Sequence, residues 1–128
     1  MEINIETTAT NGGTSVFLIS FVGQFDQDAY ETASKEFANK LKDLNGNPFR
    51  VLCDFTESST MTPAESKVFM ETQDLAVIAG MERDVFVSHQ EILRMQLQRL
   101  ARKGERLNKL GNLEFRDEYQ EGLEFILA

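Results

Sequence analysis

The middle of the chain carries the pattern that most limits how it can fold. Residues 49–55 form a short apolar run, and a polar loop follows at 56–61. A helix is predicted to begin at Thr62, whose hydroxyl can accept from the Glu65 amide while the Glu65 side chain reaches back, and Pro63 suits the first helical position. A buried strand that runs through a loop into a capped helix is typical of open α/β sheets, where ligands and modifications act at such junctions.

The remaining apolar runs alternate with amphipathic segments. Residues 2–8 alternate as a half-buried strand does, and residues 15–22 are apolar at nearly every position, which is typical of a strand covered on both faces. Asn11 and Gly12 between them favour a tight hairpin turn with positive φ angles. Consecutive strand–helix units then force right-handed crossovers. The sequence therefore predicts a single α/β domain over 1–128, of order β-β-α-β-α-β-α-β-α, with a mostly parallel five-stranded sheet and an antiparallel edge strand.

Each predicted helix has an apolar stripe that we expect to face the core. The first helix is predicted to begin after Asp26 and to end at residues 45–46. The third is predicted to follow a strand at 85–87, to open with a capping box at 88–91 and to end at Gly104. The residues predicted to point inward are Tyr30, Ala33, Phe37, Leu41 and Leu44, then Val68, Phe69, Thr72, Leu75, Ala76 and Ala79, then Ile92, Leu93, Met95 and Leu100, and finally Leu123, Ile126 and Leu127.

The composition predicts where the protein works. Its single cysteine, Cys53, lies inside an apolar strand, which excludes an internal disulfide and fits a reducing compartment. The first residues lack a basic segment followed by an apolar core, and no window approaches a run of about 18 apolar residues. We therefore expect neither a signal peptide nor a membrane span, and a cytoplasmic location.

Charge is unevenly distributed along the chain. The net charge is −8, but residues 94–109 contribute +5 and the rest −13. The overall negative charge argues against general nucleic-acid binding, because affinity for phosphate backbones comes from cations. The basic segment predicts a docking surface for an acidic partner or an anionic ligand, or else only a solvated helix face.

No set of residues in the sequence predicts an enzyme. A phospho-acceptor receiver domain is loosely resembled by Asp54 near a strand end, Ser88 and Arg116. The chemistry of a receiver needs an acidic pair after the first strand to hold a cation. Residues 22–24 carry no acidic residue. The only histidine, His89, has no nucleophile placed beside it, and one Cys with one His cannot supply a zinc site. We therefore expect no catalysis, metal or cofactor, and a hydrogen-bonding role for Asp54.

Three local patterns, together with the order of elements, resemble the SpoIIAA-like superfamily, which is the fold of STAS domains. Residues 21–26 are similar to the segment in which a glycine leads from the second strand to the first helix. Residues 49–55 are similar to the strand that ends in Asp. Residues 115–127 are similar to the closing strand, acidic cap and short helix. The most similar branch is that of its poorly characterised stand-alone bacterial members. The resemblance implies a SpoIIAA-like fold and regulation through protein partners, as in anti-sigma-factor antagonists.

The phosphorylation motif of that superfamily is not present in the sequence. In regulatory STAS domains the corresponding loop ends in Asp-Ser-Ser-Gly, whose serine is phosphorylated by the partner kinase. Residues 62–65 occupy those positions here, and Pro63 has no hydroxyl. Ser58, Ser59 and Thr60 are loop residues whose hydroxyls could take a phosphate.

The leading hypothesis is a non-enzymatic, cytosolic, STAS-like regulatory module that binds an unidentified protein. The alternative is a carrier or sensor of a small apolar or anionic, lipid-like ligand, suggested by the superfamily's kinship with lipid-binding domains and by Phe25, Phe55 and Met61 beside the loop. A homodimer through an incompletely covered sheet face is a third hypothesis. The predicted site comprises Asp54, Ser58, Ser59, Thr60, Met61 and Thr62 in a partner or ligand loop, and Arg94, Arg99, Arg102, Lys103 and Arg106 on a basic docking face.

Overall fold

The chain folds around one five-stranded sheet. A computed structural model describes residues 1–103 and 106–128, so the helix end predicted at Gly104 lies outside the described residues. The elements in chain order are β1 (Glu2–Ala9), β2 (Ser15–Gly23), α1 (Gln27–Lys42), β3 (Phe49–Ser58), α2 (Pro63–Ala79), β4 (Met81–Val87), α3 (Glu91–Lys103), a 3₁₀ helix (Leu107–Lys109), β5 (Leu113–Arg116) and α4 (Tyr119–Leu127).

The topology of the sheet confirms the predicted fold class. The strands lie side by side in the order β1-β2-β3-β4-β5. β1 pairs antiparallel with β2, and the remaining neighbours pair in parallel. Each parallel connection contains one α-helix, which is the usual form of a parallel crossover.

Helices cover the two faces of the sheet unequally. Helices α1, α2 and α3 bury Phe37, Phe69 and Leu97 in a large apolar cluster on what we call the three-helix face. Helix α4 packs on the opposite face, the α4 face, where Ile126 meets a smaller cluster that includes Leu52. The contacts of α4 are concentrated on β3, β4 and β5, so within the described residues the α4 face of β1 lies beyond the main footprint of this helix.

Aromatic side chains tie the sheet to α2 on the three-helix face. Phe55 stacks on Phe21 with 4.7 Å between ring centroids, and it meets Phe69 and Phe86 edge-on at 5.4 and 6.1 Å. Such pairs contribute about 0.5–1.5 kcal/mol each beyond the area they bury. Phe55 is therefore a core residue, in contrast to its predicted position beside a ligand loop.

The turn of the first hairpin differs from the prediction. Positive φ occurs at Gly13, at +88°, and not at Asn11 or Gly12. The Gly13 amide donates to the Thr10 carbonyl at 2.9 Å. The hairpin is thus closed by a longer loop in which a glycine in the left-handed region follows the turn.

Several element boundaries also differ from the prediction. Asp26 caps α1 as predicted, but the helix ends at Lys42 and not at residues 45–46. Strand β4 begins at Met81, well before the predicted strand at 85–87. The charged residues at the start of β4 mask its strand character in the sequence, because charged side chains are uncommon in buried strands.

The two predicted capping boxes form only in part. Thr62 Oγ1 accepts from the Glu65 amide at 3.3 Å, as predicted. However, Glu65 Oε2 is buried without a hydrogen-bond partner in the part of the chain that the structure describes. Ser88 Oγ accepts from the Gln90 amide at 3.3 Å, one residue short of the position that a capping box uses.

Candidate functional site

Strand β3 includes the first part of the predicted partner loop. Ser58 is a strand residue and only 2% exposed, and its Oγ donates to the Ser59 carbonyl at 3.0 Å. This position corrects the prediction that Ser58 lies on an accessible loop. The sequence concealed the strand because residues 56–58 are polar and the pairing with β2 shifts register nearby, a sign of a β-bulge.

Asp54 lies within β3 and faces away from the loop. Its Oδ1 accepts from the Thr56 amide at 3.0 Å, beside the register shift. It pairs with Ser20 on the α4 face and, with Tyr119, lines a shallow pocket of about 150 Å³ there. The structure thus gives Asp54 the hydrogen-bonding role that the sequence predicted, but it separates Asp54 from the residues with which it was grouped.

Residues 59–62 connect β3 to α2, and α3 fixes their position. Gln96 Nε2 donates to the Met61 carbonyl at 2.9 Å, and Gln96 Oε1 accepts from the Met61 amide at 3.1 Å. Gln90 Nε2 donates to the Ser58 carbonyl at 3.1 Å. The sequence predicts neither glutamine as a site residue, because a polar residue in or just before an amphipathic helix gives no sign of a backbone partner in a distant loop.

Only part of this loop is accessible to a partner. Thr60 is exposed, and Ser59 is half-buried with its amide donating to the Gly23 carbonyl at 3.1 Å. Met61 is only 7% exposed and belongs to the core, in contrast to its predicted place beside a ligand. Thr62 is exposed, but its hydroxyl caps α2. The accessible predicted residues of the loop are therefore Ser59, Thr60 and Thr62.

Helix α3 buries Leu93 as predicted, but Leu97 lies in the core in place of Ile92 and Met95. Leu93 and Leu97 are fully buried, whereas Ile92 and Met95 are 67% and 50% exposed. Arg99 is also exposed, and its spacing from Ile92 and Met95 places all three along one side of the helix. We call these three residues the α3 stripe.

Helix α2 also exposes apolar residues that were expected in the core. Leu75 is 65% exposed, and Ala79 is exposed as well. Ile78, one turn from Leu75, is 62% exposed. Met70 and Gln73 are buried in place of the mispredicted residues.

The predicted basic face divides into a paired part and a part without ion pairs. Arg94 pairs with Asp117, which joins α3 to the segment before α4. The backbone amide of Arg106 donates to Asp74 Oδ1 at 2.9 Å, which ties the start of the 3₁₀ helix to α2. Within residues 1–103 and 106–128, the cations of this face that are exposed and make no ion pair are Arg99, Arg102, Lys103 and Arg106.

A group of polar residues is buried in the core on the three-helix face. Burial raises the pKa of the Asp84 carboxyl well above its usual range, and neither of its oxygens has a hydrogen-bond partner among the described residues. Burial, and secondarily the nearby Asp84, raises the pKa of the Cys53 thiol. Burial also raises the pKa of Tyr30. Because the thiolate is the reactive form of cysteine, Cys53 is held in its unreactive state.

The cavity beside these residues is too small for a lipid. It lies between α1, α2 and the strands β1 and β2, and its volume is about 30 Å³. Tyr30, Cys53 and Gln73 supply polar groups to a lining that is otherwise mostly apolar. A buried water needs about 10–15 Å³ of such space, whereas ligand pockets usually measure about 300–1,000 Å³.

Two further properties of the described residues concern metals and membranes. Within them, no three His, Cys, Asp or Glu side chains come together as a group that could hold a metal ion. Among the helices of the same residues, none is long and apolar enough to cross a bilayer.

The comparison with known proteins identifies the fold. No family model matches the sequence, and no curated protein matches it. Several solved structures do match. A DUF3478-family protein of Shewanella loihica, described as uncharacterised and as having a SpoIIAA-like fold, gives a TM-score of 0.72 at 14% identity, over 98% of this chain and 94% of that one.

Two further matches are anti-sigma-factor antagonists. SpoIIAA in its unphosphorylated form gives a TM-score of 0.60 at 14% identity, over 95% of this chain and 94% of that one. An anti-sigma-factor antagonist from Mycobacterium paratuberculosis gives a TM-score of 0.57 at 12% identity, over 99% of this chain and 96% of that one. The chain therefore has the SpoIIAA-like fold that its sequence patterns predicted.

Proposed function

We propose that the chain is a non-enzymatic, cytosolic, STAS-like regulatory module that binds a protein partner through residues 59–62 and the α3 stripe. The anti-sigma-factor antagonists among the proteins that share its fold support a regulatory role. Pro63 fills the first turn of α2, where regulatory STAS domains carry a phosphoserine. The proposed partner binding is therefore independent of a phosphate at that position.

The observation that carries the proposal is the connection between the loop and α3. Gln96 holds both backbone groups of Met61, and it lies one helical turn after the exposed Ile92. Met95 and Arg99 continue the stripe, and Met and Arg are enriched in the cores of protein interfaces. Exposed apolar groups beside cations, on the helix that positions the loop, form one surface for a partner.

The small core cavity leaves no room for a lipid inside the core, so a lipid-like carrier would have to bind its ligand at the surface. A volume of about 30 Å³ is about a tenth of the smallest usual ligand pocket. We expect native mass spectrometry of freshly purified protein to give the mass of the 14.5 kDa chain alone. A chain that retains a lipid would support the carrier instead.

The homodimer stays a prediction. The α4 face of β1 carries the exposed Glu2 and Glu6. Two copies that met through this face would bring these carboxylates together, and like charges repel. Light scattering of the purified protein measures the oligomeric state directly.

Charge reversal on the α3 stripe tests the proposed function. The tagged chain would be used to capture partners from the cells that produce it, with identification by mass spectrometry. We expect the double variant Met95→Glu, Arg99→Glu to lose the partner by at least about tenfold, which corresponds to about 1.4 kcal/mol of binding free energy. Lys35→Glu makes a charge reversal on the exposed side of α1 and is the matched control. Equal capture by the double variant and the control, both folded by circular dichroism, would refute the proposed surface.

A further inference from the structure

A groove distinct from the α3 stripe runs between α3 and β5. Its volume is about 510 Å³, which falls within the range of about 300–1,000 Å³ that is usual for binding pockets. Among the described residues that line it, most are apolar and the exposed Arg102 is the charged one. The apolar lining comes from Ala101, Leu107, Leu110, Leu113 and Phe115.

The outer edge of β5 is open along this groove. β5 is the last strand of the sheet, and no further strand pairs with it among the described residues. The carbonyls of Asn112 and Arg116 accept from the amides of Asp84 and Ser88 at 3.0 Å each. Backbone groups alternate in direction along a strand, so those of residues 113 and 115 point away from β4.

The side chains of Leu113 and Phe115 line the groove, and their outward backbone groups lie at the open edge beside it. Phe115 O accepts from Arg116 Nη1 at 3.0 Å. The amides of Leu113 and Phe115 and the Leu113 carbonyl have no hydrogen-bond partner within the described residues. An extended segment along β5 could bond to these groups and insert alternate side chains into the groove, as in strand addition to a sheet edge.

Charge decides which kind of segment fits. Arg102 lines the groove, and Arg106 and Lys109 are exposed in the segment that leads from α3 to β5. Glu114 of β5 lies on the α4 face and pairs with Arg116 at 2.9 Å. An acidic segment complements these cations. A second copy of the chain would instead bring two basic rims together, which costs binding free energy.

We propose that the groove between α3 and β5 binds an extended acidic segment of a protein partner, which adds to β5 as a sixth strand. Its apolar side chains enter the groove, and a carboxylate pairs with Arg102. The inference rests on the proposed function, because it assumes a protein partner, but none of the residues that line the groove belongs to the α3 stripe.

Selection from random peptides tests this inference without knowledge of the partner. A phage-displayed library of short random peptides would be selected on the full chain, and the enriched peptides synthesised and measured by fluorescence anisotropy. We expect enriched sequences to alternate apolar and acidic residues and to lose at least about tenfold in affinity on Arg102→Glu. Arg99→Glu, the same charge change on the α3 stripe, is the control and should leave the affinity within about twofold.

A second set of variants tests whether the peptide hydrogen-bonds to the backbone at the edge of β5. Leu113→Pro removes an outward amide without removing a bond to β4, and we expect it to weaken peptide binding more than Leu113→Ala, which keeps the amide. If Leu113→Pro does not fold, hydrogen exchange in the wild-type chain gives the same information. Bound peptide should then slow exchange of the Leu113 and Phe115 amides.

Three results would overturn the inference: no enriched peptides, peptides indifferent to Arg102→Glu that leave the β5 amides unprotected, or a homodimer paired through β5. Its failure is distinguishable from failure of the proposed function. In one pattern, partner capture is lost in the double variant Met95→Glu, Arg99→Glu and stays normal in Arg102→Glu and Leu113→Pro. That result would refute the groove as a binding site and support the proposed function. The opposite pattern would support the groove as a binding site and refute binding through the α3 stripe.

Discussion

Asp84 is the residue that the fold places in the least favourable surroundings for its charge. It lies opposite Val51 on the three-helix face, it is 0% exposed, and neither oxygen has a hydrogen-bond partner among the described residues. Burial raises the pKa of its carboxyl, so the folded chain holds this proton more tightly than the unfolded chain does. The stability that this proton provides is complete below the unfolded pKa of about 3.9, and it is lost as the pH rises toward the folded value.

Asp84→Asn should therefore stabilise the chain in a pH-dependent way. We expect its free energy of unfolding to exceed that of the wild type by about 1–3 kcal/mol at pH 8, and by less at pH 5, because the amide does not ionise. Urea unfolding at the two pH values measures the difference. Glu36→Gln, at an exposed carboxyl of α1, should show no comparable gain. An advantage of Asp84→Asn that fails to grow between pH 5 and pH 8 would contradict this account of the buried carboxyl.

At the scale of elements, the position of α4 depends on a glycine. Gly122 is buried where α4 meets the sheet, and a Cβ there would lie 2.5 Å from Val87 Cγ2 and 3.3 Å from Leu52 Cδ1. Val87 is fully buried, and β-branched side chains have little rotamer freedom, so it cannot move aside. The glycine lowers helix propensity by about 1 kcal/mol relative to alanine, but it lets the helix approach the sheet closely.

Replacement of this glycine should separate packing from helix propensity. We expect Gly122→Ala to destabilise the chain by about 1–3 kcal/mol, because overpacking outweighs the better propensity of alanine. The control is Gly111→Ala, where an added Cβ would meet nothing within 4 Å, and it should change stability by less than about 0.5 kcal/mol. Urea unfolding compares the two variants. A Gly122→Ala chain as stable as the wild type would show that α4 does not depend on this close approach.

For the molecule as a whole, the sequence predicts the fold because the signals of its elements are local. The Asp26 cap, the Thr62 cap and the apolar strands between them each occupy a few residues, and strand–helix alternation then determines the topology. The site is less predictable. Helix α3 carries two overlapping apolar patterns, one with Leu93 and Leu97 and one with Ile92 and Met95, and residue type alone does not tell which faces the core.

Tertiary partners account for the remaining errors. The side chain of Gln96 hydrogen-bonds to a loop residue 35 positions away in the sequence, and no local spacing predicts such a contact. Ser58 lies in a strand although its neighbours are polar, because the pairing with β2 and a β-bulge extend β3. Asp84 lies just before the predicted strand at 85–87, and its charged residue type gives no sign that the side chain is buried.

The central claim is that residues 59–62 and the α3 stripe form one partner surface. It is tested most directly by amide chemical shifts of the labelled chain during titration with the captured and purified partner. The account predicts the largest changes at Ser59, Thr60, Met95 and Arg99, with smaller changes at Gln96, which connects the loop to the helix. Changes confined to β1 and α4, with the loop and α3 unaffected, would contradict it.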